Sequence, residues 1–220
     1  MKRLSKLGMG GVALLVATVA VAQGWSSNAA PDVYLGSALG KMPNESRGQR
    51  IFEQRCQQCH QVGATGLASQ NIPALAGQHY EYLVKQVVDF LDRERDNDTM
   101  HQQLVQSGIN NATSVADVVG YVANLPRNTV PEPGPGTMTA QGKQIYEGFC
   151  ASCHGRTAEG SADLWVPNLR GQHYSYMVEQ MRRMARAQRA NVPEDLHRMF
   201  TTYADSEFQA VADYLTHWSP

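Results

Sequence analysis

Eight residues of this chain recur at one constant offset. Cys56, Cys59, His60, Pro73, Gly77, Gln78, His79 and Tyr80 return 94 positions later as Cys150, Cys153, His154, Pro167, Gly171, Gln172, His173 and Tyr174. A period that long, used twice, means a duplicated domain, because a solenoid needs at least three shorter repeats to bury its faces. A chain of 220 residues has room for two domains of about 100 residues each. Between the copies, Pro126 to Gly136 holds four prolines and two glycines with almost no apolar side chain, so it is expected to be an extended connector. The expected division is a first domain over 44–127, a linker over 128–138 and a second domain over 139–220. An N-terminal extension over 23–43, which neither repeat explains, and a leader over 1–22 precede them.

Within each copy the pattern is helical. Ser46 is placed to cap a helix through Gly48, Ile51 and Phe52 to Cys56, and Thr139 to cap its counterpart through Gly142, Ile145, Tyr146 and Phe149. Apolar residues at three- and four-residue spacing predict second helices over Tyr80–Leu91 and Tyr174–Ala187. Third helices are expected over Ser114–Leu125 and Asp205–Trp218, each opening on a capping-type residue. No stretch alternates as a strand does, so the fold class is all-α, twice over.

Cys56-Gln57-Gln58-Cys59-His60 and Cys150-Ala151-Ser152-Cys153-His154 use all four cysteines of the chain, and each ends in histidine. This is the attachment signature of c-type haem. One helical turn separates the sulfurs, which suits thioethers to the two vinyl groups of a porphyrin, and the adjacent histidine falls under the iron as proximal ligand. A four-cysteine zinc site, a redox dithiol and structural disulfides compete for the same residues, but none of them requires histidine at that position in both copies. Two haem c groups are therefore expected, on Cys56 and Cys59 and on Cys150 and Cys153, with iron on His60 and His154.

The sixth ligand decides what each iron can do, since a methionine thioether fills the coordination shell and raises the potential. Met100 is the only methionine between Cys59 and the linker and lies in a polar stretch expected to be unhelical. In the second copy Met177, Met181 and Met184 sit at spacings suited to packing. Met199, which comes late as Met100 does, is the expected distal ligand there, although 99 positions separate the two. His101, adjacent to Met100 and without a counterpart in the second copy, is the runner-up for the first haem. His79 and His173 are expected to be structural or solvent-facing.

Lys2, Arg3 and Lys6 precede an apolar run from Leu7 to Ala22 that closes on small residues, the pattern of a secretory signal peptide. The run falls short of the roughly 20 residues that span a bilayer, and an uncleaved anchor is the competing reading. Without those three cations the chain carries four more acidic than basic side chains, which argues against a nucleic-acid partner. Arg182, Arg183, Arg186 and Arg189 cluster on an expected helix; such a run is usually a solvated surface, with a docking face for an acidic partner as the alternative. Asp89 to Asp98 is expected to be a solvated polar loop.

Over about residues 44–220 these features resemble the dihaem cytochrome c4 family of tandem class I cytochrome c domains. The resemblance rests on the two attachment motifs, on the repeated Pro-x-Leu-x-Gly-Gln at Pro73 to Gln78 and Pro167 to Gln172, and on a late methionine before a final helix. It implies two class I cytochrome c-like domains, each wrapped around one covalently bound haem c. It further implies that Gly48 and Phe52 pack on Tyr121, and Gly142 and Tyr146 on Tyr214. The carbonyls of Pro73 and Pro167 would accept the Nδ1 protons of His60 and His154, and the haems would face one another across the domain interface. Two departures from the family pattern are the segment 23–43 and a loop from Gln106 to Thr113 after Met100.

The function implied is electron carriage in the periplasm of a Gram-negative bacterium, from a quinol-oxidising complex or a dehydrogenase to a haem-copper terminal oxidase, without catalysis of its own. Membrane association would come only through partners or an uncleaved leader. A haem subunit of a larger dehydrogenase or oxidase complex, and a dihaem redox enzyme such as a peroxidase, are the alternatives.

Overall fold

A computed structural model of the chain describes residues 33–218, so the expected leader lies outside the described residues. Among the described residues no helix is long and apolar enough to cross a membrane. The first half comprises α1 (Val33–Leu39), α2 (Glu45–Arg55), α3 (Gln57–His60), α4 (Tyr80–Leu91), α5 (Asp98–Gln106) and α6 (Ala112–Asn124). The second comprises α7 (Thr139–Ile145), which runs through a π turn at Tyr146–Cys150 into α8 (Ala151–His154), then α9 (Tyr174–Ala185), α10 (Glu194–Phe200) and α11 (Asp205–His217). The only extended pairings among the described residues are two isolated bridges, Leu67 with Ile72 and Ser161 with Val166, themselves one repeat apart.

The helix starts differ from the sequence expectation in instructive ways. Asn44, not Ser46, caps α2, its side chain accepting from Arg47 N at 2.8 Å, and Asn111, not Ser114, caps α6, accepting from Ser114 N at 3.0 Å. Thr139 is the first residue of α7 rather than its cap. The backbone entering that helix is instead held by a buried carboxylate of the last helix, Asp213, which accepts from Gly136 N at 2.7 Å and Met138 N at 2.8 Å. Asp117 does the same for the first half, accepting from Asn44 N at 2.8 Å and pairing with Arg47. A side chain more than 70 residues away in sequence thus outcompetes the local hydroxyl, which no local pattern reveals.

Each half closes by crossing the helix that precedes its Cys-x-x-Cys-His motif, α2 or α7, over its last, α6 or α11. A methyl group on Gly48 would lie 2.0 Å from Asp117 O and one on Gly142 1.9 Å from Ala210 O, so the absence of a side chain is what lets the backbones touch. Beside each glycine an aromatic pair fills the crossing: Phe52 on Tyr121 at 5.8 Å between ring centroids, and Tyr146 on Tyr214 at 5.7 Å, both tilted by 49°. The first core gathers Phe52, Val84, Val88 and Val115 around that crossing, and the smaller second core gathers Tyr146, Met177, Val178 and Val211. Part of the N-terminal extension joins the first core through α1, where Ala38 is fully buried and its carbonyl accepts from Tyr80 OH at 3.1 Å. The proline-rich connector is strapped to the second half, with Gly134 N donating to Thr216 Oγ1 at 3.0 Å and Tyr174 N to Glu132 O at 3.2 Å.

Gly142→Ala should destabilise the second half by about 3 kcal/mol, the upper end for forcing a methyl group into packed structure, because main chain rather than a movable side chain blocks it. Urea unfolding followed by circular dichroism checks this, and an unchanged midpoint would contradict the crossing.

Candidate functional site

Both Cys-x-x-Cys-His motifs sit where a short helix, α3 or α8, leaves α2 or α7. Cys56 N donates back to Phe52 O at 2.9 Å, and α3 then carries Cys59 and His60. In each pair one sulfur faces inward and one outward: Cys56 and Cys150 are half-buried against the two cores, whereas Cys59 and Cys153 are exposed. After each histidine the chain turns back through left-handed backbone at Gln61 and Gly155 and again at Gly66 and Gly160. Gly66 N donates to His60 O at 2.9 Å and Gly160 N to His154 O at 2.8 Å. A methyl group on Gly66 would fall 2.5 Å from the Pro73 carbonyl carbon, so this glycine is what brings the proline carbonyl under the imidazole.

His60 Nδ1 donates to Pro73 O at 3.1 Å, and His154 Nδ1 to Pro167 O at 3.0 Å. Burial pushes both imidazoles below the usual histidine range, opposed only by those bonds, so each ring is neutral. With Nδ1 carrying the proton, the lone pair is on Nε2, and neither Nε2 has a hydrogen-bond partner among the described residues. A neutral imidazole oriented by a backbone carbonyl is what iron ligation requires.

Two of the competing uses of the cysteines do not fit. Among the described residues no three His, Cys, Asp or Glu side chains gather as a metal site, so the two pairs do not form a four-cysteine zinc centre. Burial pushes the Cys56 thiol up to about 12 and the Cys150 thiol up to about 11, whereas a redox dithiol needs a stabilised thiolate. Inward sulfur, outward sulfur and an unpartnered Nε2 in each half fit the two vinyl carbons and the iron of one haem.

Between the halves lies a cluster the sequence did not reveal. Arg95 donates to Tyr176 OH and to Gln180 Oε1 at 2.8 Å each, and Arg189 donates to Tyr82 OH at 2.9 Å and to Gln180 Oε1 at 3.2 Å. Tyr82 and Tyr176, like Arg95 and Arg189, stand one repeat apart. Both arginines are buried, and the buried carboxylate of Asp89 already pairs with Lys85. The amide Nε2 of the adjacent Gln86 is buried with no partner. Two guanidinium charges in excess, with an orphaned donor beside them, suit the carboxylate edge of a haem, since burying such charges uncompensated costs several kcal/mol.

These positions correct two expectations. Asp89 to Asp98 is a solvated loop only in part: Asp92, Arg93, Glu94, Asp96 and Asp98 are exposed, whereas Asp89 lies in α4 and, like Arg95, is buried. The arginines do not share one solvated helix face: α9 ends at Ala185, Arg186 is exposed, Arg189 is buried between the halves, Arg182 holds Asp205 at 2.5 and 2.8 Å, and Arg183 donates to Asp96 O at 2.7 Å.

Met100 lies in the first turn of α5, not in an irregular stretch, with its N–H capped by Asn97 at 3.1 Å and its side chain against the first core. Met199 lies in the last turn of α10, half-buried, so the two methionines occupy different points of corresponding helices. His101 does have a counterpart. It donates from Nδ1 to Phe90 O at 3.0 Å, and His197 donates to Met184 O at 2.8 Å, where Phe90 and Met184 are one repeat apart. The shift from 94 to 96 between the histidines hid this pair from a search at fixed offset. His79 and His173 are structural, as expected, and bridge the halves: His79 Nε2 donates to Glu159 O at 2.7 Å and His173 Nε2 to Thr65 O at 2.9 Å. His173 Nδ1 meanwhile accepts from Glu132 N at 3.0 Å, so both its nitrogens are engaged.

A helical domain that presents two thiols and an oriented neutral imidazole on one turn, used twice, defines a dihaem c-type cytochrome. The description "cytochrome c" of the matching protein family covers residues 45–126 and 139–219. Cytochrome c4 of Thiocapsa roseopersicina is 31% identical over 171 residues, spanning 73% of this chain and 85% of the relative. The thiosulfate dehydrogenase electron acceptor of Thiomonas intermedia strain K12 is 31% identical over 173 residues, spanning 73% and 76%. The structure of reduced recombinant cytochrome c4 from Pseudomonas stutzeri shares the fold with a TM-score of 0.71 at 22% identity, over 80% of this chain and 98% of that one. The chain belongs to the dihaem cytochrome c4 family, carries two covalently bound haem c groups and is an electron-transfer cytochrome.

Serine at both Cys150 and Cys153 should leave one covalent haem per chain in place of two, measured as the pyridine haemochrome against protein concentration. Two haems retained would contradict the attachment sites.

Proposed function

We propose that this protein is an exported periplasmic carrier that takes electrons from a quinol-oxidising complex or a dehydrogenase and passes them to a haem-copper terminal oxidase. In this reading His60 and Met100 ligate the first iron and His154 and Met199 the second. The observation that carries it is the repeated bond from histidine Nδ1 to a proline carbonyl, at 3.1 and 3.0 Å, on imidazoles kept neutral by burial. Haem supplies one-electron chemistry when bound. The chain's residues hold it: four thiols anchor it, two carbonyls orient the proximal rings, and the cores around Phe52 and Tyr146 keep water from the ligands.

Methionine is favoured over His101 at the first iron because His101 and His197 make the same bond to the end of the preceding long helix, a shared structural task. A thioether on each iron completes its shell and favours electron exchange over binding of small molecules. A dehydrogenase as donor is supported by the likeness to a thiosulfate dehydrogenase electron acceptor.

Met100→Ala and Met199→Ala should each abolish the methionine–iron charge-transfer band of one haem and lower that haem's potential while the other stays unchanged; His101→Ala should leave both bands. Loss of the first band in His101→Ala but not in Met100→Ala would reassign that ligand. In stopped flow, the reduced protein should be reoxidised by bacterial membranes that hold a haem-copper oxidase, and sustained turnover of hydrogen peroxide would instead favour an enzyme.

A further inference from the structure

One peptide group serves both the proximal histidine of one domain and a glutamine of the other. The carbonyl of Pro73 accepts from His60 Nδ1 at 3.1 Å, and the N–H of the same peptide, on Ala74, donates across the interface to Gln172 Oε1 at 3.0 Å. Gln172 Nε2 returns a bond to Ala74 O at 2.9 Å. The mirror arrangement holds one repeat away. Pro167 O accepts from His154 Nδ1 at 3.0 Å, Asn168 N donates to Gln78 Oε1 at 2.9 Å, and Gln78 Nε2 donates to Asn168 O at 2.8 Å. Each glutamine is itself aimed by the next residue's N–H, from His79 and His173, at 3.0 Å.

We propose that Gln172 is a positioning residue for the haem of the first domain and Gln78 for the haem of the second, so that each domain tunes the other's iron. An amide is polarised as a unit: when its N–H donates, its carbonyl becomes a stronger acceptor, by about 10–30% per bond in a hydrogen-bonded chain. A stronger carbonyl draws the Nδ1 proton, makes the imidazole a more basic ligand and favours ferric over ferrous iron. Linkage makes the effect reciprocal, because an iron that tightens its histidine–carbonyl bond on oxidation also tightens the glutamine's grip on the interface.

This inference rests on His60 and His154 as axial ligands, and the test checks that first. In the haem-loaded full chain, NMR of the wild type should show the ring protons of both histidines strongly shifted by haem. Their absence overturns the ligation and this proposal with it. Gln172→Leu should then raise the potential of the first domain's haem alone and move the His60 Nδ1 proton upfield, and Gln78→Leu should do both for the second domain. Gln172→Glu, which keeps an acceptor for Ala74 N–H and strengthens it, should move the His60 proton downfield, and it stands in if the leucine variant does not fold. Arg183→Met, which removes the cross-domain bond to Asp96 O but leaves the peptide untouched, should move neither proton. Shifts of both haems alike, shifts confined to the variant's own domain, or no shift would each overturn the crossed coupling while leaving the ligation intact.

Discussion

The hydrogen bond from the proximal histidine to a proline carbonyl is the constraint on which the rest of this molecule depends. It demands that the turn after each Cys-x-x-Cys-His motif bring Pro73 or Pro167 beneath the imidazole, which Gly66 and Gly160 permit by close backbone approach. It also positions the segment that follows, so that Ala74 and Asn168 meet the glutamines of the opposite domain. The proposed iron site and the domain interface are consequently two faces of one short segment, used twice.

The two domains share this frame yet are not equal. The first has the larger core, completed by α1 from the N-terminal extension, and its helix α5 begins at a side-chain cap beside Met100. In the second, the connector is bound along the domain and α10 carries its methionine near the opposite end. If Met100 and Met199 ligate as proposed, common proximal geometry with different distal geometry is how one fold can hold two irons at different potentials, since the distal ligand and its surroundings are a main lever on that quantity.

Much of this was legible in the sequence because the informative residues are local or strictly periodic. The attachment motifs and the helix Tyr80–Leu91 follow from spacing alone, and the glycine–aromatic crossings follow from the family resemblance. What was illegible depends on partners distant in the chain. Asp117 and Asp213 organise helix entries more than 70 residues away, and Arg95 and Arg189 look like ordinary surface cations until tyrosines of the other domain enclose them. The correspondence of His101 with His197 was hidden by a two-residue change in loop length, and the tasks of Gln78 and Gln172 by their place in a motif that seemed to concern only its own domain.

The most direct test of the account is a spectroelectrochemical titration of the haem-loaded protein, following spin state and the methionine–iron charge-transfer band through the full redox range. Two low-spin haems that both show the band and titrate at high potential are the result the account predicts. One haem that is high-spin or lacks the band, and titrates at low potential, would contradict it.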